Sequence, residues 1–429
     1  MLASSEAKKA LYQELSELFV ETEIIDTHEH LPQEKARVSQ AVTFTDLFRH
    51  YCQDDFIAAG MDEDDMGKMY DNKTCLEEKW LLFEPYYKLI KNGSYQRAGQ
   101  IAMEKFYGMR EITSLRDAED VTKRMSDANK PGLYGKVLKD TCRIKKVMMF
   151  ANEEYEGDLY GLVWNMEWFT EINSTEALYY SRKALNGVHS RFSDYLGALG
   201  SYVKRLKEER RVSGMKFALA YKRDLDFSPT TYQEAENVYN RIFTESAGRR
   251  PFPLGYNEIR PLQNYLVREL ARLAGENDLC MVFHTGIQAG NKNICDNSKP
   301  ERLWSLFGAY PKTRFVLLHA GLPWTREAVL LAKYFPNVYI DLAWVHIISP
   351  IIAVDTIKMY VDLAPMSKLL GFGGDYLVVE AVYGHLMMAK DNIATALAES
   401  AANGVMTKHD AHIWLTSMLA KNPSEIYRL

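Results

Sequence analysis

The 429-residue sequence is short of cysteine, of long apolar runs and of basic charge, and each shortage excludes something. Five cysteines, Cys52, Cys75, Cys142, Cys280 and Cys295, form an odd set with no CxxC pair. That argues against a disulfide-stapled secreted fold and for reduced thiols in a cytoplasmic protein. No stretch of about 18 apolar residues is present, so no membrane-spanning helix is expected. Residues 1–20 lack the apolar core of a signal peptide. Leu11, Leu15, Leu18 and Phe19 recur there at helical spacing, so 1–22 reads as an amphipathic surface helix. Lys and Arg number 52 against 57 Asp and Glu, a net charge of -5, which excludes a basic nucleic-acid binder. Low-complexity tracts and fixed-period repeats are missing too.

What is present is a globular composition, 47% hydrophobic and 25% charged, too apolar for a disordered chain. Short apolar runs alternate with helix-length segments, which argues for βα units around a parallel sheet. Candidate strands are 23–27, 145–150, 162–166, 212–220, 279–283, 314–318, 337–342 and 369–373. Eight is the number a closed (β/α)8 barrel requires. Roughly 115 residues separate the first two strands, and helical periodicity (Trp80, Leu81, Phe83, Tyr86, Tyr87, Ile90) marks them as a helical insertion at about 32–142. The expected organisation is therefore an N-terminal helix, then a barrel over 23–429 with a lid-like insertion on the active-site face, which accounts for the length beyond the roughly 250 residues of a bare barrel. The gap between strands two and three is barely long enough for a crossover. Asp62, Asp64 and Gly67 hint at a calcium loop, but Met66 and Lys73 occupy ligand positions, so an acidic helix start is expected instead.

The chemistry gathers where polar residues end apolar strands. Strand one ends in Asp26-Thr27-His28-Glu29-His30, strand five in His284, strand six in His319 and strand eight in Gly373-Gly374-Asp375. In a parallel barrel these ends converge on one mouth. Residues i and i+2 of a strand point the same way, so His28 and His30 both face the axis. Only ten histidines exist in the chain, and four of them end three strands. Two same-facing imidazoles, a third from strand five and a carboxylate from strand eight make a mixed nitrogen–oxygen metal site.

The strand end IDTHEH, with FHTG, LLHAG, GGDY and the closing LAKNPSEIY, resembles the amidohydrolase superfamily, in its amidohydrolase-related branch of metal-dependent TIM-barrel enzymes. The long helical insertion is similar to that of uronate isomerase-like and fungal FluG-like members. The resemblance implies His28, His30, His284 and Asp375 as ligands of a divalent metal, zinc first with manganese or iron as alternatives, one ion per site. It further implies Asp375 as the proton-transfer group and His319 as the residue that polarises or protonates the substrate. Such a metal lowers the pKa of bound water toward about 7 and polarises a carbonyl.

Around this set stand further candidates. Lys216 on strand four has three readings: anchor for a substrate carboxylate, structural ion pair, or carboxylated bridge between two metals. Arg223, in the following loop, could grip a carboxylate bidentately or be a solvated charge. Trp344 and His346 follow strand seven and could line the pocket; Glu380 and His385 could face it from the last segment, with a plain helix face as the alternative. The expected function is a metal-dependent hydrolase that cleaves an amide or other C–N bond in a small polar, anionic substrate. A nonoxidative decarboxylase or a sugar-acid isomerase on the same site is the alternative, the isomerase disfavoured by His319, and a catalytically silent ligand-binding barrel is the second alternative. The expected partner is a small-molecule substrate, with no nucleic acid and no membrane; assembly into a homo-oligomer stays open.

Overall fold

A computed structural model describes residues 5–173, 175–246 and 254–429. Eight short parallel strands follow one another around a barrel in sequence order. They are β1 (Ile24–Glu29), β2 (Ile144–Phe150), β3 (Tyr160–Asn165), β4 (Gly214–Phe217), β5 (Cys280–Phe283), β6 (Arg314–Leu317), β7 (Val338–Asp341) and β8 (Leu369–Leu370). Strands of a barrel are covered on both sides, so side chains alternate between two apolar environments. In β2, Met148 and Phe150 point to the barrel interior, while Val147 and Met149 pack outward against the helices. In β5, Val282 points in and Phe283 out. Ile426 and Tyr427, from the closing segment, join the interior cluster.

Two strand expectations change. The fourth strand is four residues long, because the chain turns into a 3-10 helix at Leu219–Tyr221. Lys216 therefore stands one residue from the C-terminal end of β4 rather than early in a long strand. Residues 151–159, between β2 and β3, cross without a helix.

The insertion is helical, with Tyr51–Ala58, Glu63–Tyr70, Leu76–Ile90, Ser94–Tyr107 and Leu115–Ala128. It buries an apolar core of its own, built on Phe44, Phe48, Phe56, Phe83 and Tyr87. The acidic start at Asp62 is a helix cap: its carboxylate accepts the Asp64 N–H at 2.9 Å. Two contacts fix the insertion to the barrel's last long helix, Val379–Ala402. A Cβ at Gly384 would lie 1.8 Å from the Ala98 carbonyl oxygen, so only glycine lets helix Ser94–Tyr107 approach this closely. Beside it, buried Glu380 accepts from Arg37 Nη2 at 3.0 Å and from the Tyr107 hydroxyl at 2.7 Å. All five cysteines are free thiols. Among the described residues no helix is long and apolar enough to cross a membrane.

Candidate metal centre

The ends of β1 and β8 meet at the barrel mouth and bring three donor atoms together. His28 Nε2 lies 3.1 Å from His30 Nε2. Asp375 Oδ1 lies 3.4 Å from the first and 3.5 Å from the second. Donors held about 2.0–2.2 Å from one ion stand about 3.0–3.5 Å apart, so this triangle fits a divalent metal. It is the one cluster of three or more His, Cys, Asp or Glu donors with metal-like spacing among the described residues. Burial, helped by the Lys216 ammonium, keeps the imidazoles neutral: the His28 pKa is pushed well below the ordinary value and that of His30 to about 3. A neutral imidazole is the form that binds metal. Burial raises the Asp375 carboxyl to about 6, with Lys216 and the Tyr51 phenol pulling the other way, so it is ionised at neutral pH.

A second imidazole pair faces the first across the mouth. His319 Nε2 lies 3.2 Å from His284 Nδ1. Each ring spends its other nitrogen on a backbone carbonyl: His319 Nδ1 donates to Ala343 at 2.9 Å and His284 Nε2 to Ile287 at 2.9 Å. A carbonyl only accepts, so both of those nitrogens carry hydrogen and the two facing nitrogens are both bare. Two neutral rings cannot satisfy all three contacts, and burial with the nearby Lys216 charge opposes a shared proton, pushing the His284 pKa well down and that of His319 to about 3. His284, expected as the third ligand, is thus oriented toward His319 and stands outside the three-donor cluster.

Backbone strain aims these groups. His319 (φ 60°), Trp344 (φ 69°) and Asp375 (φ 56°) follow the ends of β6, β7 and β8 in the left-handed region. His50 of the insertion (φ 67°) shares it. Such residues cost about 1–3 kcal/mol each and gather at functional sites.

Lys216 points into the barrel interior with its ammonium 4.8 Å from the Phe150 ring centre. Burial lowers its pKa to about 8, with Asp375, Glu167 and Asp341 opposing. No carboxylate stands within ion-pair distance of it among the described residues, so the structural-ion-pair reading finds no partner. Arg223 is turned away from the mouth. Its guanidinium donates to Gln263 Oε1 at 3.0 Å and to the carbonyls of Asp224 and Asp226 at 3.0 and 2.8 Å, which ties its own loop to helix Tyr256–Glu276. Neither a carboxylate clamp nor a solvated charge describes it. His346 is also corrected: its Nε2 donates to Gly371 O at 2.9 Å behind the strands, where Asn392 donates to its carbonyl, so it braces β8 and does not line the pocket. Trp344 does stand at the site, edge-on to His319 with ring centres 5.2 Å apart. Glu380 and His385 are committed to Arg37, Tyr107 and the Gly374 carbonyl.

Sequence reasoning missed the insertion's own contribution. Tyr51 stacks on Trp344 at 4.1 Å, and its phenol interacts with the Asp375 carboxylate. His50 stacks on Tyr51 at 3.9 Å, with a buried Nδ1 that has no hydrogen-bond partner among the described residues. A cavity of about 400 Å3 opens beside His30 between insertion and barrel, with Arg37, Arg49, Phe150 and Leu377 in its wall. The His50-Tyr51 pair at the start of helix Tyr51–Ala58 was the available signal.

A barrel of this topology, with histidines from β1 and an aspartate from β8 at its C-terminal mouth, defines a metal-dependent TIM-barrel enzyme. The sequence profile of the amidohydrolase family matches residues 206–429, more than half of the chain, and the chain belongs to that family. It is 28% identical over 227 residues to the protein FluG of Emericella nidulans, a match over 51% of this chain and 26% of that protein. The chain thus spans about a quarter of that relative's length. Two solved structures share the fold over nearly the whole chain. A uronate isomerase from Thermotoga maritima has a TM-score of 0.77 at 16% identity, covering 99% of this chain and 98% of its own. A glucuronate isomerase from Caulobacter crescentus has a TM-score of 0.77 at 15% identity, covering 100% and 96%.

Proposed function

We propose that the chain is a metal-dependent hydrolase acting on an amide or other C–N bond of a small polar, anionic substrate, with His28, His30 and Asp375 as the metal-holding set. The observation that carries this reading is the second imidazole pair beside Asp375, held neutral by burial, with His319 Nδ1 3.8 Å from the Asp375 Oδ2. A divalent metal bound at the three donors supplies Lewis acidity, polarising a carbonyl and acidifying water. Asp375 is ionised at neutral pH and takes the proton of the attacking water. Asp375 passes that proton on to the leaving nitrogen, while the neutral His319, with its Nδ1–H 3.8 Å from Asp375, is placed to donate a hydrogen bond to the developing oxyanion. Lys216, buried and cationic at neutral pH, draws an anionic group toward the mouth. Trp344 and Tyr51 wall off water and hold Asp375.

Isomerisation of a sugar acid is the second reading. It is favoured by the full-length likeness in fold to the two isomerases, insertion included. There Asp375 and Tyr51 would move a proton between adjacent carbons, and the His284–His319 pair would be a spectator. One screen separates the readings: zinc- or manganese-loaded protein with N-acyl amino acids, γ-glutamyl amides, aromatic acids and uronates. Release of amine is expected, with Asp375→Asn inactive. Turnover of uronates alone, retained in His319→Gln, would overturn hydrolysis.

A further inference from the structure

Among the described residues the eight-stranded sheet carries no regular ladder between β8 and β1, although Thr27 of β1 donates its N–H at 3.0 Å and its hydroxyl at 2.8 Å to Phe372 O, and the three metal-type donors straddle that seam: His28 and His30 on one side, Asp375 on the other. The seam is closed by other means. Three successive amides after β8 all donate to β1. Gly374 N–H goes to Asp26 Oδ1 at 3.1 Å, Asp375 N–H to His28 O at 2.7 Å and Tyr376 N–H to Glu29 Oε2 at 2.8 Å. Asp26 Oδ1 also accepts the His28 N–H at 3.1 Å, so one carboxylate oxygen holds a ligand residue of β1 and the residue before the ligand of β8. Both carboxyls are fully buried. The glycines of the GGDY stretch make the approach possible. A Cβ at Gly374 would lie 1.8 Å from Glu29 Oε1 and 3.3 Å from Asp26 Oδ2, and one at Gly373 would lie 2.6 Å from Ala343 Cβ.

We propose that Asp26 and Glu29 are positioning residues that clasp the end of β8 to the end of β1 and so hold the metal seat in its binding geometry before any ion arrives. This rests on the reading of His28, His30 and Asp375 as the metal-holding set. The physical argument is pre-organisation. Asp375 sits in a left-handed conformation on a segment tied to β1 through the main chain at only two points, Thr27 N–H to Phe372 O and Asp375 N–H to His28 O. Without the clasp, ion binding would have to supply the ordering of that segment as well as the coordination. Partners that orient metal ligands typically change affinity by about 10–100-fold when removed.

The test uses chelator-stripped full-length protein and zinc ions alone as the probe. Competition titration is expected to show Glu29→Ala binding zinc about 10–100-fold more weakly than wild type. Glu29→Gln should stay near wild type, because its amide oxygen still accepts the Tyr376 N–H. Hydrogen exchange of the 371–378 peptide should be slow in stripped wild type and fast in Glu29→Ala. Equal zinc affinity in Glu29→Ala and wild type would overturn the proposal. So would a Glu29→Gln as weak as Glu29→Ala, since charge rather than geometry would then be at work. If Glu29→Ala does not fold, stripped wild type decides alone: fast exchange of the Gly374–Tyr376 amides means that no clasp exists without metal. Wild type that binds no zinc while keeping those amides protected overturns the metal reading and leaves the clasp standing.

Discussion

Two pairs of imidazoles face each other at nearly the same spacing, His28 with His30 at 3.1 Å and His284 with His319 at 3.2 Å, yet they are built for different tasks. The first pair shares a carboxylate, Asp375, within 3.5 Å of both facing nitrogens. The second has none so placed; the nearest approach is Asp375 Oδ2 to the outer nitrogen of His319, at 3.8 Å. Facing bare nitrogens near the Lys216 charge make a poor cation seat until an anion joins them. On the proposed reading the carboxylate makes the first pair the metal seat, and its absence leaves the second a neutral pair outside it.

That contrast can be broken experimentally. The largest effect is expected from His30→Ala, which should cut zinc affinity by about 100-fold or more and abolish turnover. His284→Ala should keep one zinc per chain and lose about 10²–10⁴-fold in turnover. Native mass spectrometry and competition titration read both. Loss of zinc in His284→Ala, or two tight ions in wild type, would erase the distinction between the pairs. A smaller effect concerns pH. Zinc affinity should fall tenfold per unit below about 6, because Asp375 there takes up the proton that a metal must displace, whereas His30 stays neutral down to about 3. A slope of two protons in that range would mean that the histidines titrate with it. The smallest effect on the site is expected from Arg37→Ala. It leaves Glu380 buried without its cation and should cost about 3–5 kcal/mol of stability, seen as a lower melting temperature. Zinc affinity should hardly move; a large fall would tie the first pair to the insertion.

Much of the barrel was legible because parallel strands are short apolar runs, and a polar residue ending such a run has few places to be except the mouth. His28, His30, Asp375 and His319 could be put at one mouth on that ground. What could not be read was where each ring nitrogen points. His284 and His346 look alike in sequence, yet one reaches the site and the other braces a carbonyl behind β8. Arg223 could be read as an anion clamp or a solvated charge because nothing local shows that its guanidinium turns back on the carbonyls of its own loop and reaches Gln263 on a helix 40 residues on. Tyr51 and the clasp by Asp26 and Glu29 were hidden for the same reason. Their partners lie more than 300 residues away, and neither periodicity nor spacing encodes contacts at that separation.

The separate apolar core of the insertion has a consequence for how the molecule comes apart. A cluster with its own packing can open at its own free energy, and that built on Phe83 is joined to the barrel core through Tyr95 and Phe106, which pack against both. Tyr51, though part of the insertion, is buried in the barrel core and so belongs with the unit that carries the metal-type donors. Heat or denaturant that opens the Phe83 cluster first would leave Tyr51 stacked on Trp344 beside the donors, so binding and turnover would both outlast the outer part of the insertion.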